Sequence, residues 1–295
     1  MKAQRSEPDR SLVGGRPPTP PGTTRRRFLG VHLDPLTIDE TVARCVKAVE
    51  ERSPITIGVL NAAKIVRLRK DPRLSRAVLG CDLVLADGQS VVWASALLGR
   101  PLPERVAGID LMLTLLPEAE RRGHRVFFLG ARQEVLDRTV AEVMRRFPGL
   151  TVAGTRHGYF STAEAPGVAD EVRAARADLL FIGVSSPMKE FFVQDWSART
   201  GAQVVHGVGG TFDVLAGEVR RAPEWWQRRG LEWLYRCIQE PMRLGPRYFT
   251  TNFAFVVLVV REMAREVTRA RRPGRARSSR SARSSRSSSA GGGRR

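Results

Sequence analysis

Arg125-Val-Phe-Phe-Leu129, then Gln133 through Phe147, then Leu150 through Thr155 decide the fold of this chain. The first piece is a short apolar run that stops at Gly130. The second has the length and pattern of a helix, and the third is again a short strand. A strand, a helix and a strand in direct succession mean parallel pairing through a right-handed crossover. The alternation continues downstream. A helix is predicted over about 165–177, a buried strand over Asp178–Ile182 ending at Gly183, and a helix after Pro187. Gln203–His206 is a further strand, followed by Gly207-Val-Gly-Gly210. Upstream, a helix spans about 111–122. Cys81-Asp-Leu-Val-Leu-Ala86 is a strand that runs into Asp87-Gly88, with a helix over Ser90–Gly99. Asp71-Pro72 opens a short helix that Gly80 ends. Ile55–Leu60 is a strand whose next residue, Asn61, is placed to cap a helix. Thr37 and Glu40 make a capping box for a helix running to about Arg52. Phe28–Leu33 reads as a first strand. The expected fold is α/β, a Rossmann-like, mostly parallel sheet with flanking helices.

The texture changes at Pro223. Trp225, Trp226, Trp233, Tyr235, Tyr248 and Phe249 are interleaved with Arg228, Arg229, Arg236, Arg243 and Arg247, and the strand pattern stops. Residues 223–268 are expected to be a helical appendage. Aromatic rings mixed with arginines suit a membrane interface, and they equally suit helices packed on the core. Residues 1–26 and 269–295 hold few apolar residues to bury, so both read as disordered arms around a 27–222 core. The tail carries much of the +19 net charge and fits any polyanion. Phe253–Val260 is too short to span a bilayer.

Composition narrows the chemistry. At 295 residues and 42% hydrophobic, the chain can build a sizeable core. Cys45, Cys81 and Cys237 are far apart, with neither disulfide nor zinc spacing, and a reducing cytosol fits them. No HExxH, no phosphate-binding GxGxxG or GxxxxGK[ST], and no Asp-x-Asp metal clamp is present. No metal and no cofactor are expected.

Asp87 ends a strand where α/β proteins gather ligands. Two roles are open to it: a cap for the next helix, or a functional carboxylate with Gly88 keeping its approach clear. Gly130, Gly183, Gly209 and Gly210 close three strands and would let phosphate approach backbone N–H groups, although turns need glycine anyway. Arg236 and Arg243, seven residues apart, share a helix face and could clamp a diphosphate. An Arg236–Glu240 ion pair is the plainer use of the first.

Several segments occur together and in order: Cys81–Gly88, Pro103-Glu-Arg-Val-Ala-Gly-Ile-Asp110, Gly207–Gly217, Arg221-Ala-Pro-Glu-Trp225, Gly230-Leu-Glu-Trp-Leu-Tyr-Arg236, and Glu240-Pro241 with Arg243. In these the chain closely resembles the WecG/TagA/CpsF glycosyltransferase family, over about residues 28–260. The resemblance implies an inverting, metal-independent enzyme. It would move an N-acetylmannosamine-like sugar from a UDP-sugar to a polyprenyl-diphosphate-linked sugar. The setting would be the cytoplasm, peripheral at the inner face of the plasma membrane, in surface polysaccharide or teichoic acid synthesis. It makes Asp87 the catalytic base, with Arg236 and Arg243 compensating the charge of departing UDP. Asn61, Gly88, Arg105, Asp110, Lys189, Asp213, Arg221 and Arg247 join the four strand-end glycines as substrate-binding positions.

Four departures from the family pattern stand out. Ala86 replaces a proline, and Val59 replaces the threonine of a polar segment that keeps Asn61. Lys189 replaces a glutamine. Pro246 stands where a third arginine is usual, with Arg247 beside it. The expected partners are the UDP-sugar, the lipid-linked acceptor and an anionic membrane surface, with a homo-oligomer left open and no specific nucleic acid. Two other readings compete: a catalytically lapsed member serving as a membrane-associated assembly partner, and a nucleic-acid binder acting through its basic tail.

Overall fold

The computed structural model describes residues 25–239 and 241–270, with the side chains of residues 228, 236, 241–249, 269 and 270 left out of that description. The arm up to residue 24 and the tail from residue 271 lie outside the described residues.

Two short strands, β1 (Arg26–Phe28) and β2 (Val31–Leu33), open the chain as an antiparallel hairpin. One continuous strand over Phe28–Leu33 was the sequence expectation. The difference lies in the turn: Leu29 and Gly30 both take positive φ, 47° and 83°, and two such residues reverse a hairpin in the sense of its strand twist. Gly30 does this without strain. Leu29 is held there by its buried side chain.

Local chemistry sets the next starts. The helix α1 (Ile38–Glu50) begins in the expected capping box, Thr37 Oγ1 accepting from the Glu40 N–H and Glu40 Oε2 accepting from the Thr37 N–H. After β3 (Ile55–Leu60), Asn61 Oδ1 accepts from the Lys64 N–H at 2.9 Å and starts α2 (Ala62–Leu68). Asp71 does the same for α3 (Pro72–Leu79). Then come β4 (Leu83–Ala86), α4 (Gln89–Leu97) and α5 (Gly108–Arg122). The opening β–α–β of the sequence is β5 (Arg125–Gly130), α6 (Gln133–Arg146) and β6 (Thr151–Arg156). It continues through α7 (Ala165–Ala174), β7 (Leu179–Gly183), α8 (Met188–Thr200) and β8 (Val204–Gly207). A short helix that the sequence did not announce, α9 (Thr211–Leu215), follows the glycine cluster. The C-terminal part is helical as expected: α10 (Glu224–Arg228), α11 (Glu232–Gln239) and α12 (Pro241–Ala270).

The main sheet has six strands in the order β4-β3-β8-β7-β5-β6, paired in parallel. Its apolar side chains divide by the period of two that a strand imposes. Phe127, Leu129, Leu180, Ile182 and Val84 enter one core layer, packed with residues of α2, α3, α7 and α8. Val126, Phe128, Leu179, Phe181 and Leu85 enter the other, packed with α1, α5 and α6. A sheet buried on both faces needs continuous apolar strands, which is what these short runs are. Phe255 and Val259 carry α12 onto the first layer, against α2.

Candidate active site

Backbone pairing delivers Asp87. Leu60 and Ala86 are partners in the β3–β4 ladder, and the Asp87 N–H donates to the Leu60 carbonyl at 2.9 Å. The ladder therefore runs one residue past β4 and presents the side chain at the carboxyl edge of the sheet. The cap of α4 is Gly88, without any side-chain cap bond. Asp87 is thus not a helix cap. The Val106 N–H donates to the Ala86 carbonyl at 2.8 Å, which brings Arg105 to the same strand end.

Two cavities, of about 960 and 510 Å³, meet at this point and share Asn61, Ala63, Asp87, Lys189, Gly209 and Gly210 as walls. The larger extends over the ends of β5 and β7, past Ala131 and Gly183, to Tyr159 and Asp213. The smaller extends under the appendage, between Trp93, Arg105, Glu232, Trp233 and Phe255. A further cavity of about 980 Å³, at the other end of α2 among Arg26, Arg27, Arg69 and Arg100, holds none of the candidate residues.

Asp87 is open to the cavities on one side and enclosed by protein elsewhere. Burial lifts its carboxyl above the usual carboxylate range; Lys64, Arg105 and Lys189 pull it back, and Glu232 adds to the lift. A carboxylate whose affinity for a proton is raised is a better general base while it stays ionised. Its positive neighbours favour the ionised form. Lys64, on the first turn of α2, donates from Nζ to the Val59 carbonyl at 2.8 Å and lies 2.8 Å from Glu190 Oε1. Lys189 Nζ lies 4.0 Å from that same oxygen. Burial pushes the Lys189 ammonium down to about 8, Lys64 pushes the same way, and Glu190 and Asp87 oppose them. Burial would raise Glu190, but the two lysines outweigh it and hold its carboxyl low.

A second charged group ties the appendage to the core. Arg105 bonds Asp110 at 2.9 Å and Glu232, on α11, at 2.8 Å. Arg221 bonds Asp110 from behind and lies 3.8 Å from Glu232. Among the described residues, no group of three or more His, Cys, Asp or Glu side chains is placed to hold a metal ion.

The model of the Glycosyl transferase WecG/TagA/CpsF family matches residues 26–269, which takes in the whole sheet and the appendage. The chain belongs to this family. It is therefore a glycosyltransferase. A relative in Bacillus spizizenii named N-acetylglucosaminyldiphosphoundecaprenol N-acetyl-beta-D-mannosaminyltransferase is 39% identical over 186 residues, 61% of this chain and 72% of the relative. Among solved structures, a substrate-binding periplasmic protein from Ralstonia solanacearum aligns at 21% identity with a TM-score of 0.27. That alignment covers 62% of this chain, which spans about half (53%) of the periplasmic protein.

The structure of this glycosyltransferase gathers most of the candidate positions. Asn61, Asp87, Lys189, Gly209 and Gly210 meet where the cavities join, Gly183 and Asp213 line the larger one, and Gly88 and Arg105 the smaller. Gly209 takes φ +59°, and a Cβ there would sit 3.1 Å from Lys189 Nζ. Three candidates stand back from the cavity walls. Gly130 packs on the backbone of Gly183, where a Cβ would come within 2.5 Å; Asp110 pairs with Arg105 and Arg221, and Arg221 also lies against Glu232. The side chains of Arg236, Arg243 and Arg247 lie outside the described residues. Lys64, Glu190 and Glu232 were not singled out by sequence. One signal pointed to the lysines: only five of the 49 basic residues are Lys (Lys2, Lys47, Lys64, Lys70 and Lys189), and the side chains of Lys64 and Lys189 are only 10% and 12% exposed.

Proposed function

We propose that this chain transfers an N-acetylmannosamine-type sugar from a UDP-sugar to a polyprenyl-diphosphate-linked sugar, with inversion and without a metal. The observation that carries the proposal is Asp87: a strand-end carboxylate, ringed by cations, at the junction of two cavities. Two cavities suit two substrates. The larger, with glycine-rich strand ends and Lys189, suits the nucleotide diphosphate; the smaller, roofed by the appendage, suits the sugar end of the acceptor. Asp87 takes the proton of the acceptor hydroxyl as that oxygen bonds to the anomeric carbon of the donor. The bond from this carbon to the diphosphate breaks on the opposite face, and UDP leaves with the electron pair. Lys189 and the appendage arginines Arg236 and Arg243 balance the charge that develops on UDP. Preorganised donors of that kind are worth about 3 kcal/mol each.

The family and the name of the Bacillus relative support the acceptor class. No helix among the described residues is long and apolar enough to cross a membrane. We assign the enzyme a peripheral position at the inner membrane face, where a lipid-linked acceptor presents its sugar. The test is Asp87→Asn. It should bind UDP as the wild type does and lower kcat by about 10²- to 10⁴-fold, measured as UDP release with lipid-diphosphate-GlcNAc as acceptor. Near-normal kcat in this variant would remove Asp87 from the mechanism. No turnover by the wild type with any UDP-sugar would favour a lapsed enzyme instead.

A further inference from the structure

A chain that uses arginine almost everywhere places two of its five lysines, each with little exposed side chain, against one oxygen of a single carboxylate. Arginine stays charged at any pH a protein meets, whereas lysine titrates when it is buried. Glu190 is 7% exposed, and its approach to Lys64 is one of charge and proximity rather than an aligned hydrogen bond. Lys64 is held by the Val59 carbonyl and by the charge of Glu190, 2.8 Å from each. Lys189 is held more loosely: it shares the same carboxylate oxygen at 4.0 Å, and its Nζ reaches the open turn at Gly209, on the wall common to both cavities. The glycines at 207 and 209 make its path, since a Cβ at Gly207 would sit 3.2 Å from the Lys189 stem.

We infer that Glu190 and Lys64 are positioning residues for Lys189: the carboxylate holds its ammonium charged at the Gly209 turn, the second ammonium opposes that charge, and Lys189 is the group that meets the anionic diphosphate of the donor. The ligand assigned to Lys189 rests on the donor reading given above. Other groups face this ammonium. Asp87 approaches from the end of β4, buried neutral His206 from β8, Asp213 from α9 across the larger cavity, and Arg105 with Glu232 from the smaller one. Of these, Lys64, Glu190 and Asp87 act on it most directly, and with opposite signs.

The opposed signs make the inference testable. Lysine-selective carbon labelling of the full chain gives five side-chain signals, and each can be titrated by NMR. The wild-type Lys189 midpoint should lie near 8. Glu190→Gln should move it down and Lys64→Met should move it up. A residue that merely supports the fold would broaden or shift both variants alike. Calorimetric binding of UDP supplies the second readout. Affinity should fall about tenfold between pH 7 and 9, as the charged fraction falls, and this limb should follow each variant in the same direction. Lys189→Arg should keep binding and lose the limb; Lys189→Gln should weaken binding at pH 7 and lose it too. Midpoints that stay put or move together overturn the positioning role. UDP binding with an unmoved limb in Lys189→Gln overturns the role of Lys189 as anchor. Failure of the wild type to bind UDP at any pH overturns the donor reading and the ligand assigned here, while the two NMR shifts still decide whether Glu190 and Lys64 position the ammonium.

Discussion

Burial acts on two titratable groups near the sheet edge in opposite directions. It raises the carboxyl of Asp87, which the chemistry can use, and lowers His206, which it does not need. His206 is fully buried on β8, with its Nε2 3.2 Å from the Gly108 carbonyl and its ring edge-on to Phe181. It fastens β8 to the first turn of α5, the turn that carries Asp110. Burial drives its imidazole down to about 4 against an ordinary 6.5, although the bond to Gly108 resists. The unfolded chain therefore takes up a proton between pH 6.5 and 4 that the folded chain refuses, so stability falls as pH drops through that window. The expected loss is on the order of 3 kcal/mol. Urea midpoints at pH 7 and 4.5 should show it. His206→Asn should start less stable at pH 7 and lose clearly less on acidification; an equal loss would place the acid sensitivity elsewhere. At this level the sequence was only partly open to reading. The strand end at Asp87 was visible in Cys81–Gly88, but a cap and a catalytic carboxylate look alike until the backbone shows that Gly88 takes the cap.

Elements that start with their own local bonds were readable, because the partners lie three residues apart: Thr37 with Glu40, Asn61 with Lys64, Asp71 with Leu74. What ties the appendage to the core was not. Arg105 and Glu232 are 127 residues apart, and no periodicity announces such a pair. The hairpin turn was missed for a related reason, since only the buried setting of Leu29 lets a leucine hold positive φ. The Arg105 group suggests how α11 stays over the smaller cavity. Its side chains are mostly buried, 14% to 24% exposed, and its two guanidinium groups fork between two carboxylates. Arg105→Ala leaves Glu232 and Asp110 short of a partner and should cost about 2 to 4 kcal/mol. Hydrogen exchange should quicken in 224–239 while β5 and β7 stay protected, and turnover should fall. Arg105→Lys should recover little, because an ammonium cannot bridge both carboxylates as a fork does. Unchanged exchange over 224–239 would show that packing alone holds the appendage.

Across the whole molecule, the parallel sheet was legible because each strand is a short apolar run and each helix follows at once. The appendage was legible only as a change of texture, and its two-sidedness needed the structure. On α12, Phe255 and Val259 face the core, while Phe253, Val256, Val260 and Val267 are more than half exposed. Positions 253, 256, 260 and 267 fall on one helix face. Exposed Trp93 and Leu97 of α4 extend the apolar surface, and Trp93 and Val256 both line the smaller cavity. The apolar surface of α12 thus runs past its core-facing side onto a neighbouring exposed face, which leaves room for two partners, and the sheet core is only one of them. The second we take to be the membrane that carries the acceptor, because the apolar face continues to the mouth where the acceptor would enter, and the chain's +19 charge favours an anionic surface. The full-length protein should therefore sediment with phosphatidylglycerol vesicles and much less with phosphatidylcholine vesicles. Phe253→Asp with Val260→Asp should reduce the bound fraction severalfold at low salt, since each change puts a carboxylate against an anionic apolar interface. It should leave UDP affinity unchanged, because neither side chain lines a cavity. If the double variant sediments like the wild type, charge alone brings the enzyme to the membrane, and the exposed face of α12 belongs to another partner.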